Sequence, residues 1–314
     1  MGKVLSVIVP AYNEEQMITE AGTRIHGILN SADIPHEIIF VDDGSSDKTW
    51  EMIKKTAADI STVKGVRFSR NFGKEAAISS GLGHSTGDCC VVIDCDLQHP
   101  PEKILEMYAL WEQGYEIIEA KKTDRGRESF AHRLCANAFY SIISKITKLD
   151  MRNASDFKLL DRKAVLAVLN IPEKNSFFRA LSSWVGFKTT EIPFEVQERT
   201  VGASKWSPFG LIKYAVSNIT SFSAFPMQVT TVLGLITFVV SLVMAVISLL
   251  QKLMGKSLEG FTTVILLQLL FSSIVMFSLG IIGYYIAKIY DEIKGRPKFI
   301  VSESCNIATQ SEID

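Results

Sequence analysis

"VVIDCDLQHPPEKI", residues 91–104, is the stretch on which the reading of the whole chain turns. An apolar run, Val91 to Ile93, leads into two aspartates one residue apart, Asp94 and Asp96, then Gln98, then a double proline that opens what reads as a helix. Side chains alternate in direction along a strand, so if the strand continues the two carboxylates point the same way. Held side by side they repel each other unless they are solvated or something positive sits between them. One reading is a cap on the helix at Pro100. The other is a cation. Magnesium keeps one or two carboxylates and takes its other ligands from phosphates and water. A nucleotide diphosphate would supply those phosphates, with Gln98 as a further oxygen.

Outward from this stretch the first half alternates strand and helix. VLSVIVPAY (4–12), HEIIFVDD (36–43), VKGVRFSR (63–70) and DCCVVIDCD (88–96) read as strands. Between them apolar residues recur at helical spacing, as at Ile18, Ala21, Ile25 and Leu29. Asn13 reads as the cap of the first helix, with Glu14 and Glu15 in its first turn, and Ser46 as the cap of the second. The alternation predicts an α/β fold with a largely parallel sheet. Ligands of such sheets bind beyond the carboxyl ends of the strands. Polar clusters stand there: Tyr12-Asn13-Glu14, Asp42-Asp43-Gly44-Ser45, Ser69-Arg70-Asn71 and Asp94 with Asp96. Four polar strand ends read as one site. D-D-G-S-S-D from Asp42 is also a good turn in itself. Neither G-x-G-x-x-G nor G-x-x-x-x-G-K-[ST] occurs, which argues against a dinucleotide fold and a P-loop. Further on, 123–133 reads as a basic loop, 130–147 as a helix, 155–161 as a strand, and TTEIPFEVQER (189–199) as the last strand.

The chain has 314 residues and a formal net charge of −1, so its overall charge implies no nucleic-acid partner. That average hides a split. Residues 1–205 are mixed and charged, whereas 229–250 and 260–287 carry no charge. Each uncharged run exceeds the ~18 apolar residues that argue for a membrane span. Phe209, Ile212, Val216, Ile219 and Phe222 recur at helical spacing, as in an amphipathic helix lying on a bilayer. The expected organisation is a cytosolic catalytic domain (1–205), a juxtamembrane segment (206–228), two transmembrane helices (229–289) and a cytosolic tail (290–314). Met1–Pro10 shows no basic region or cleavage site of a signal peptide. Lys205 and Lys213 precede the first span, and Lys288, Lys294, Arg296 and Lys298 follow the second. The loop between has only Lys252 and Lys256, which agrees with catalytic domain and both termini on the cytoplasmic face of the cell membrane. Tyr284 and Tyr285 read as interfacial anchors. The five cysteines show no C-x-x-C spacing and read as reduced thiols.

VIVPAYNEE, EIIFVDDGSSD, FSRNFGKEAAISSGL, VVIDCDLQHPPE and ERTVGASKW, in that order, resemble the family 2 glycosyltransferases. More narrowly they resemble the polyprenyl-phosphate glycosyltransferases, the group of the bactoprenol and dolichol-phosphate enzymes. The resemblance implies a GT-A-type, Rossmann-like domain and inverting transfer of one sugar to a polyprenyl phosphate, with Mg2+ or Mn2+ as cofactor. By family branch the donor would be UDP-glucose and the acceptor undecaprenyl phosphate. N-acetylglucosamine, galactose, mannose and a modified arabinose stay open as the sugar. By motif position Pro10, Tyr12, Glu14 and Asp42 would line the nucleotide pocket, joined by Arg70 and Lys74, and Asp94, Asp96 and Gln98 would hold metal and diphosphate. Asp96 and Asp156 are the candidate catalytic residues; Asp156 would lie by the acceptor, or be an ordinary strand-start aspartate. Arg125, Arg127, Arg133, Arg199, Ser204 and Lys205 are candidates for the acceptor phosphate, the last three in the family's E-R-x-x-G-x-S-K pattern. Arginine suits phosphate through its bidentate fork; the alternative is a solvated surface. Candidate partners are nucleotide sugar, lipid, membrane, a second copy of the chain, a flippase and a downstream lumenal or periplasmic glycosyltransferase. Two other readings are a processive polysaccharide synthase and a membrane-tethered nucleotide-sugar binder without turnover. The synthases carry Q-x-x-R-W, whereas here Arg179 and Trp184 are not adjacent.

Overall fold

The computed structural model describes residues 2–122, 155–173, 177–195, 225–254 and 260–307. The chain divides into two units, one formed by Met1–Trp206 with Pro297–Asp314 and one by Ser207–Arg296.

In the first unit the apolar runs become strands buried on both faces. β1 (Leu5–Ala11) is buried along its whole length, as expected of the centre of a parallel sheet. The elements that follow are α1 (Ile18–Ser31), β2 (His36–Asp42), α2 (Thr49–Asp59), β3 (Val63–Phe68), α3 (Lys74–His84), β4 (Cys89–Val92) and α4 (Lys103–Glu112). Next come β5 (Ile117–Lys122), β6 (Lys158–Asp161), α5 (Arg162–Leu169), α6 (Phe178–Trp184) and β7 (Thr189–Phe194). Ile18, Ala21, Ile25 and Leu29 are the buried face of α1, as their spacing predicts. The sheet order is β7-β5-β6-β4-β1-β2-β3-β8, with β8 at Val301–Cys305. β4, β1, β2 and β3 run parallel. β6 lies antiparallel between β4 and β5, and β7 runs parallel to β5.

The chain winds outward from β1 to β3 and then returns to place β4 on the other side of β1. That reversal leaves a crevice beyond the carboxyl ends of β1 and β4. β4 follows β1 only from Leu5 to Ile8, where the Ile93 N–H donates to the Ile8 carbonyl at 3.0 Å. By the two-residue period Pro10 faces the same neighbour as Ile8, and it has no N–H to offer. The strands part there.

Several local readings are corrected. The strand read to Asp96 stops at Val92, and Leu97 has φ 55°, so Asp94 and Asp96 sit in an irregular turn and strand alternation does not aim them. Neither caps the following helix, whose N-cap is Glu102. Asn13 also has positive φ (55°), which is not the extended conformation of a helix cap. Its Oδ1 instead accepts the Ser46 N–H at 3.0 Å, while α1 starts later, after Met17. Ser46 does not cap α2; the Thr49 N–H donates to Asp47 Oδ1 at 3.0 Å.

The strand 189–199 is not the last, and 290–314 is not only a tail. β8 pairs antiparallel with β3. Glu303 accepts from Trp50 Nε1 (2.7 Å) and Arg67 (3.2 Å), and Phe299 stacks on Phe68 with ring centres 4.9 Å apart. Asn306 Nδ2 donates to the Ala57 and Val63 carbonyls, both at 3.0 Å. β8 thus covers an edge of β3 that would otherwise present unpaired backbone groups.

The second unit holds α7 (Phe225–Leu253) and α8 (Phe261–Ile293), of 29 and 33 residues, which touch one another. At ~1.5 Å per residue each exceeds the ~30 Å hydrocarbon core of a bilayer. Both contain a stretch of mean hydropathy 2.0, long and apolar enough to cross a membrane. Large apolar side chains such as Phe238 and Leu269 are exposed on them (65% and 60%). The hydroxyls of Thr230, Thr237 and Ser273 donate back to carbonyls of their own helix, as polar groups in apolar surroundings must. The amphipathic helix expected at 209–223 lies outside the described residues.

Ending the chain after Arg296 removes β8. The full-length protein in detergent is expected to unfold roughly 5 °C higher than this truncation, and the truncation to aggregate through β3. Differential scanning fluorimetry measures both; equal midpoints would show that β8 contributes nothing to the sheet.

Candidate functional site

The crevice is a pocket of about 290 Å³. Pro10, Ala11, Tyr12 and Glu14 enter it from the end of β1, Asp43 from the end of β2, Asn71, Gly73, Lys74 and Ala77 from the start of α3, and Asp94, Cys95 and Asp96 from the end of β4. The loops are laced together. The Asp43 N–H donates to the Ala11 carbonyl, Asn13 N–H to Ser45 Oγ and Glu14 N–H to Thr49 Oγ1, each at 2.9 Å. Gly44 has φ +66°, and a Cβ there would stand 2.4 Å from the Arg70 backbone. Only glycine lets the two loops pass so closely.

Asp43 joins the β2 end to α3. Its two carboxylate oxygens accept the N–H groups of Phe72 (2.6 Å) and Gly73 (2.9 Å), fixing the turn from which Lys74 projects. Burial, helped by the neighbouring Asp42 charge, still pushes its carboxyl above the usual range. Asp42 itself is wholly buried and does not line the pocket. It accepts the Ser45 N–H at 2.9 Å and lies 3.4 Å from Arg67, and burial raises its carboxyl too. Of the two aspartates, then, Asp43 takes the place in the wall that the sequence reading gave Asp42.

A chain of charges lies beneath. The Lys74 ammonium is 2.6 Å from Asp94 Oδ1 and 2.7 Å from Asp156 Oδ2. Arg179 grips Asp156 with two bonds, Nε to Oδ1 at 2.6 Å and Nη2 to Oδ2 at 2.8 Å. Burial alone would raise Asp156, but Lys74 and Arg179 outweigh it and hold the carboxyl well below its usual range. Burial would likewise raise Asp94, and Lys74, with His99, holds it low. Lys74 would be lowered by burial and is instead raised by the two carboxylates. α6, which carries Arg179, is anchored by the buried Lys158: its Nζ donates to Ser182 Oγ (2.9 Å) and to the Arg179 carbonyl (3.2 Å) and lies 3.3 Å from Glu119. Behind Lys74, Glu75 accepts the Phe178 N–H at 2.8 Å. Burial, then the nearby Asp156 charge, pushes Glu75 up to about 7.

The structure therefore brings Pro10, Tyr12, Glu14, Lys74, Asp94 and Asp96 to one pocket, with Asp156 linked to it through Lys74. Arg70 stands outside, exposed, with its guanidinium 4.3 Å over the Phe72 ring. Gln98 is also outside the wall; its N–H donates to Asp96 Oδ1 at 3.1 Å. Arg125, Arg127, Arg133, Arg199, Ser204 and Lys205 lie outside the described residues. Arg179, Lys158 and Glu75 are the site's residues that sequence reasoning missed; Asp43 reads from the sequence only as part of the strand-end cluster, without a place in the pocket. Among the described residues no three histidine, cysteine or acidic side chains cluster to hold a metal. Of the carboxylates that line the pocket, Glu14, Asp43, Asp94 and Asp96, the β4 turn supplies two, Asp94 and Asp96. Hard oxygens in that number fit Mg2+ or Mn2+, which takes further ligands from phosphates and water.

The family model described as "Glycosyl transferase family 2" matches residues 6–168. A Bacillus subtilis (strain 168) protein described as "Uncharacterized glycosyltransferase YkcC" is 40% identical over 96% of this chain and 94% of its own length. The "SfII prophage-derived bactoprenol glucosyl transferase" of Shigella flexneri is 34% identical over 96% of this chain and 98% of its own. Among solved structures, a glucosyl-3-phosphoglycerate synthase from Mycobacterium tuberculosis in complex with Mn2+, uridine diphosphate and phosphoglyceric acid superposes with a TM-score of 0.50. It covers 70% of this chain and 78% of that one at 17% identity, and the likeness shows a shared fold.

Glu75 sets a pH dependence. Burial pushes its carboxyl up from the ordinary 4.5 to about 7 in the folded protein. Between those values the folded protein keeps a proton that the unfolded chain gives up, so this group makes stability fall as pH rises through the window. Glu75→Gln should flatten that fall and raise the stability of the protein at pH 8 relative to wild type. Thermal midpoints across pH 5–8 check this; parallel curves for the two proteins would count against it.

Proposed function

Because the chain belongs to glycosyl transferase family 2, we propose that it transfers one sugar from a nucleotide sugar, UDP-glucose first, to a polyprenyl phosphate of the undecaprenyl type. The observation that carries this reading is the crevice between β1 and β4, where Asp94 and Asp96 share one pocket with the Lys74 cation. The Shigella flexneri relative, named for bactoprenol and glucose and matched over nearly its full length, supports the lipid acceptor and the sugar. The two long apolar helices support a membrane-bound enzyme. In this reading they are two spans, with the catalytic unit and both termini on the cytoplasmic face. A flippase and a second glycosyltransferase on the far face would then use the product.

The transfer needs little acid–base help. A phosphate monoester has its second pKa near ~6 and is largely a dianion at neutral pH. An oxygen of the lipid phosphate forms a bond to the anomeric carbon as the bond from that carbon to the diphosphate breaks, with inversion. The products are polyprenyl-phosphate-sugar and nucleoside diphosphate. Two anionic substrates must meet, so positioning and charge compensation are the enzyme's main work. Pro10, Tyr12 and Asn71 would take the nucleoside side, and Lys74 the diphosphate. Asp94 and Asp96 would hold a divalent ion, which when bound neutralises charge on the diphosphate. Asp156, gripped on both oxygens and held ionised, is a poor proton acceptor; it acts as the anchor that positions Lys74 and Arg179. Arg125, Arg127, Arg133, Arg199, Ser204 and Lys205 would receive the acceptor phosphate.

The test is a panel of nucleotide sugars given to the full-length protein in vesicles containing undecaprenyl phosphate, with glycolipid as the readout. UDP-glucose is expected to give product. Asp96→Asn, or a chelator, should cut turnover by about 100-fold or more. Product formed at full rate in chelator would remove the metal from the reading, and no glycolipid with any donor would remove the acceptor.

A further inference from the structure

The ammonium of Lys74 lies where a cation would be needed even without a metal. It sits 2.6 Å from Asp94, which lines the pocket, and 2.7 Å from Asp156, which is 3% exposed. Its own side chain is 40% exposed, so a ligand entering the pocket reaches it. We propose that Lys74 makes divalent-metal binding at Asp94 and Asp96 conditional on the donor's diphosphate. This rests on the metal reading above.

The argument is one of competing charges. A divalent ion arriving alone meets an Asp94 already neutralised by Lys74, and must approach that ammonium in a partly buried site where like charges repel strongly. A diphosphate changes the balance. It brings negative charge that Lys74 can take as a new partner, and that release leaves the Asp94 carboxylate for the metal. Asp156 keeps its double grip by Arg179, so it remains charge-compensated when Lys74 turns. Asp43, through Phe72 and Gly73, fixes the backbone from which Lys74 turns. The metal and the donor therefore enter as one complex, and the site does not hold a metal ion while waiting.

The test titrates Mn2+ alone, and Mn2+ with uridine diphosphate, into full-length protein in detergent, with free Mn2+ followed by electron paramagnetic resonance. Wild type is expected to bind Mn2+ weakly alone and at least about tenfold more tightly with uridine diphosphate. Lys74→Met should bind Mn2+ alone about tenfold more tightly than wild type, and uridine diphosphate should then add little. Lys74→Arg, which keeps the charge, should behave as wild type. Because Lys74→Met leaves Asp156 with one partner fewer, the double variant Lys74→Met/Asp156→Asn repeats the measurement with that charge removed, and the same gain is expected. Unchanged or weaker binding of Mn2+ alone in both variants, with uridine diphosphate still helping wild type, would overturn the proposal and leave the metal reading standing. No Mn2+ uptake by any form, even with uridine diphosphate, would overturn both.

Discussion

One ammonium holds the site together. Lys74 stands between a carboxylate from the β4 end and one that precedes β6, two strands that lie side by side in the sheet. Without it the crevice would gather Asp94 and Asp156 with too little positive charge to compensate them, and burial would favour their protonation. Much of the neighbouring structure serves to put this cation in place. Asp43 ties down the turn before α3, Gly44 lets that turn lie against the β2 loop, and Arg179 shares the load on Asp156. The loss of one partner from such a buried set costs more than the set itself contributes, because it leaves a charge without compensation.

Position along the sheet explains how the two aspartates are held. A pair of carboxylates on a continuing strand would be fixed by backbone pleat alone. Here the strand has ended, and the pair lies on a turn with Leu97 in the left-handed region. Cys95, buried between them, has its thiol pushed up by burial and by the Glu14, Asp96 and Asp94 carboxylates, so it stays a neutral spacer.

The parallel core and the pocket rim were legible in the sequence because they rest on local signals. Apolar runs of strand length, helical spacing at Ile18 to Leu29 and polar residues at each strand end are all written within a few positions of one another. What escaped rests on distant partners. Arg179 meets Asp156 across 23 residues, with no motif spacing to connect them, and the R-to-W comparison drew attention to its separation from Trp184 instead. Motif position puts Asp42 rather than Asp43 in the pocket wall, whereas which of two neighbours faces a pocket depends on where β2 stops. Asn13 looked like a cap because its residue type allows it, whereas its positive φ is imposed by the β2 loop. VSESC, residues 301–305, has too few apolar positions to read as a strand; its partners Trp50 and Arg67 supply what the segment lacks.

That last strand has a consequence for biosynthesis. Arg67 and Glu303 are 236 positions apart, and both apolar helices are synthesised between them. Domains fold from the N-terminus as the ribosome delivers them, yet this α/β unit cannot close its outer edge until α7 and α8 have emerged. The nascent enzyme therefore passes through a stage with β3 bare, a surface that chaperones recognise and that other chains can pair with. A chain broken within either helix never completes its sheet. Closure of β8 onto β3 thus records that the whole hairpin has been made.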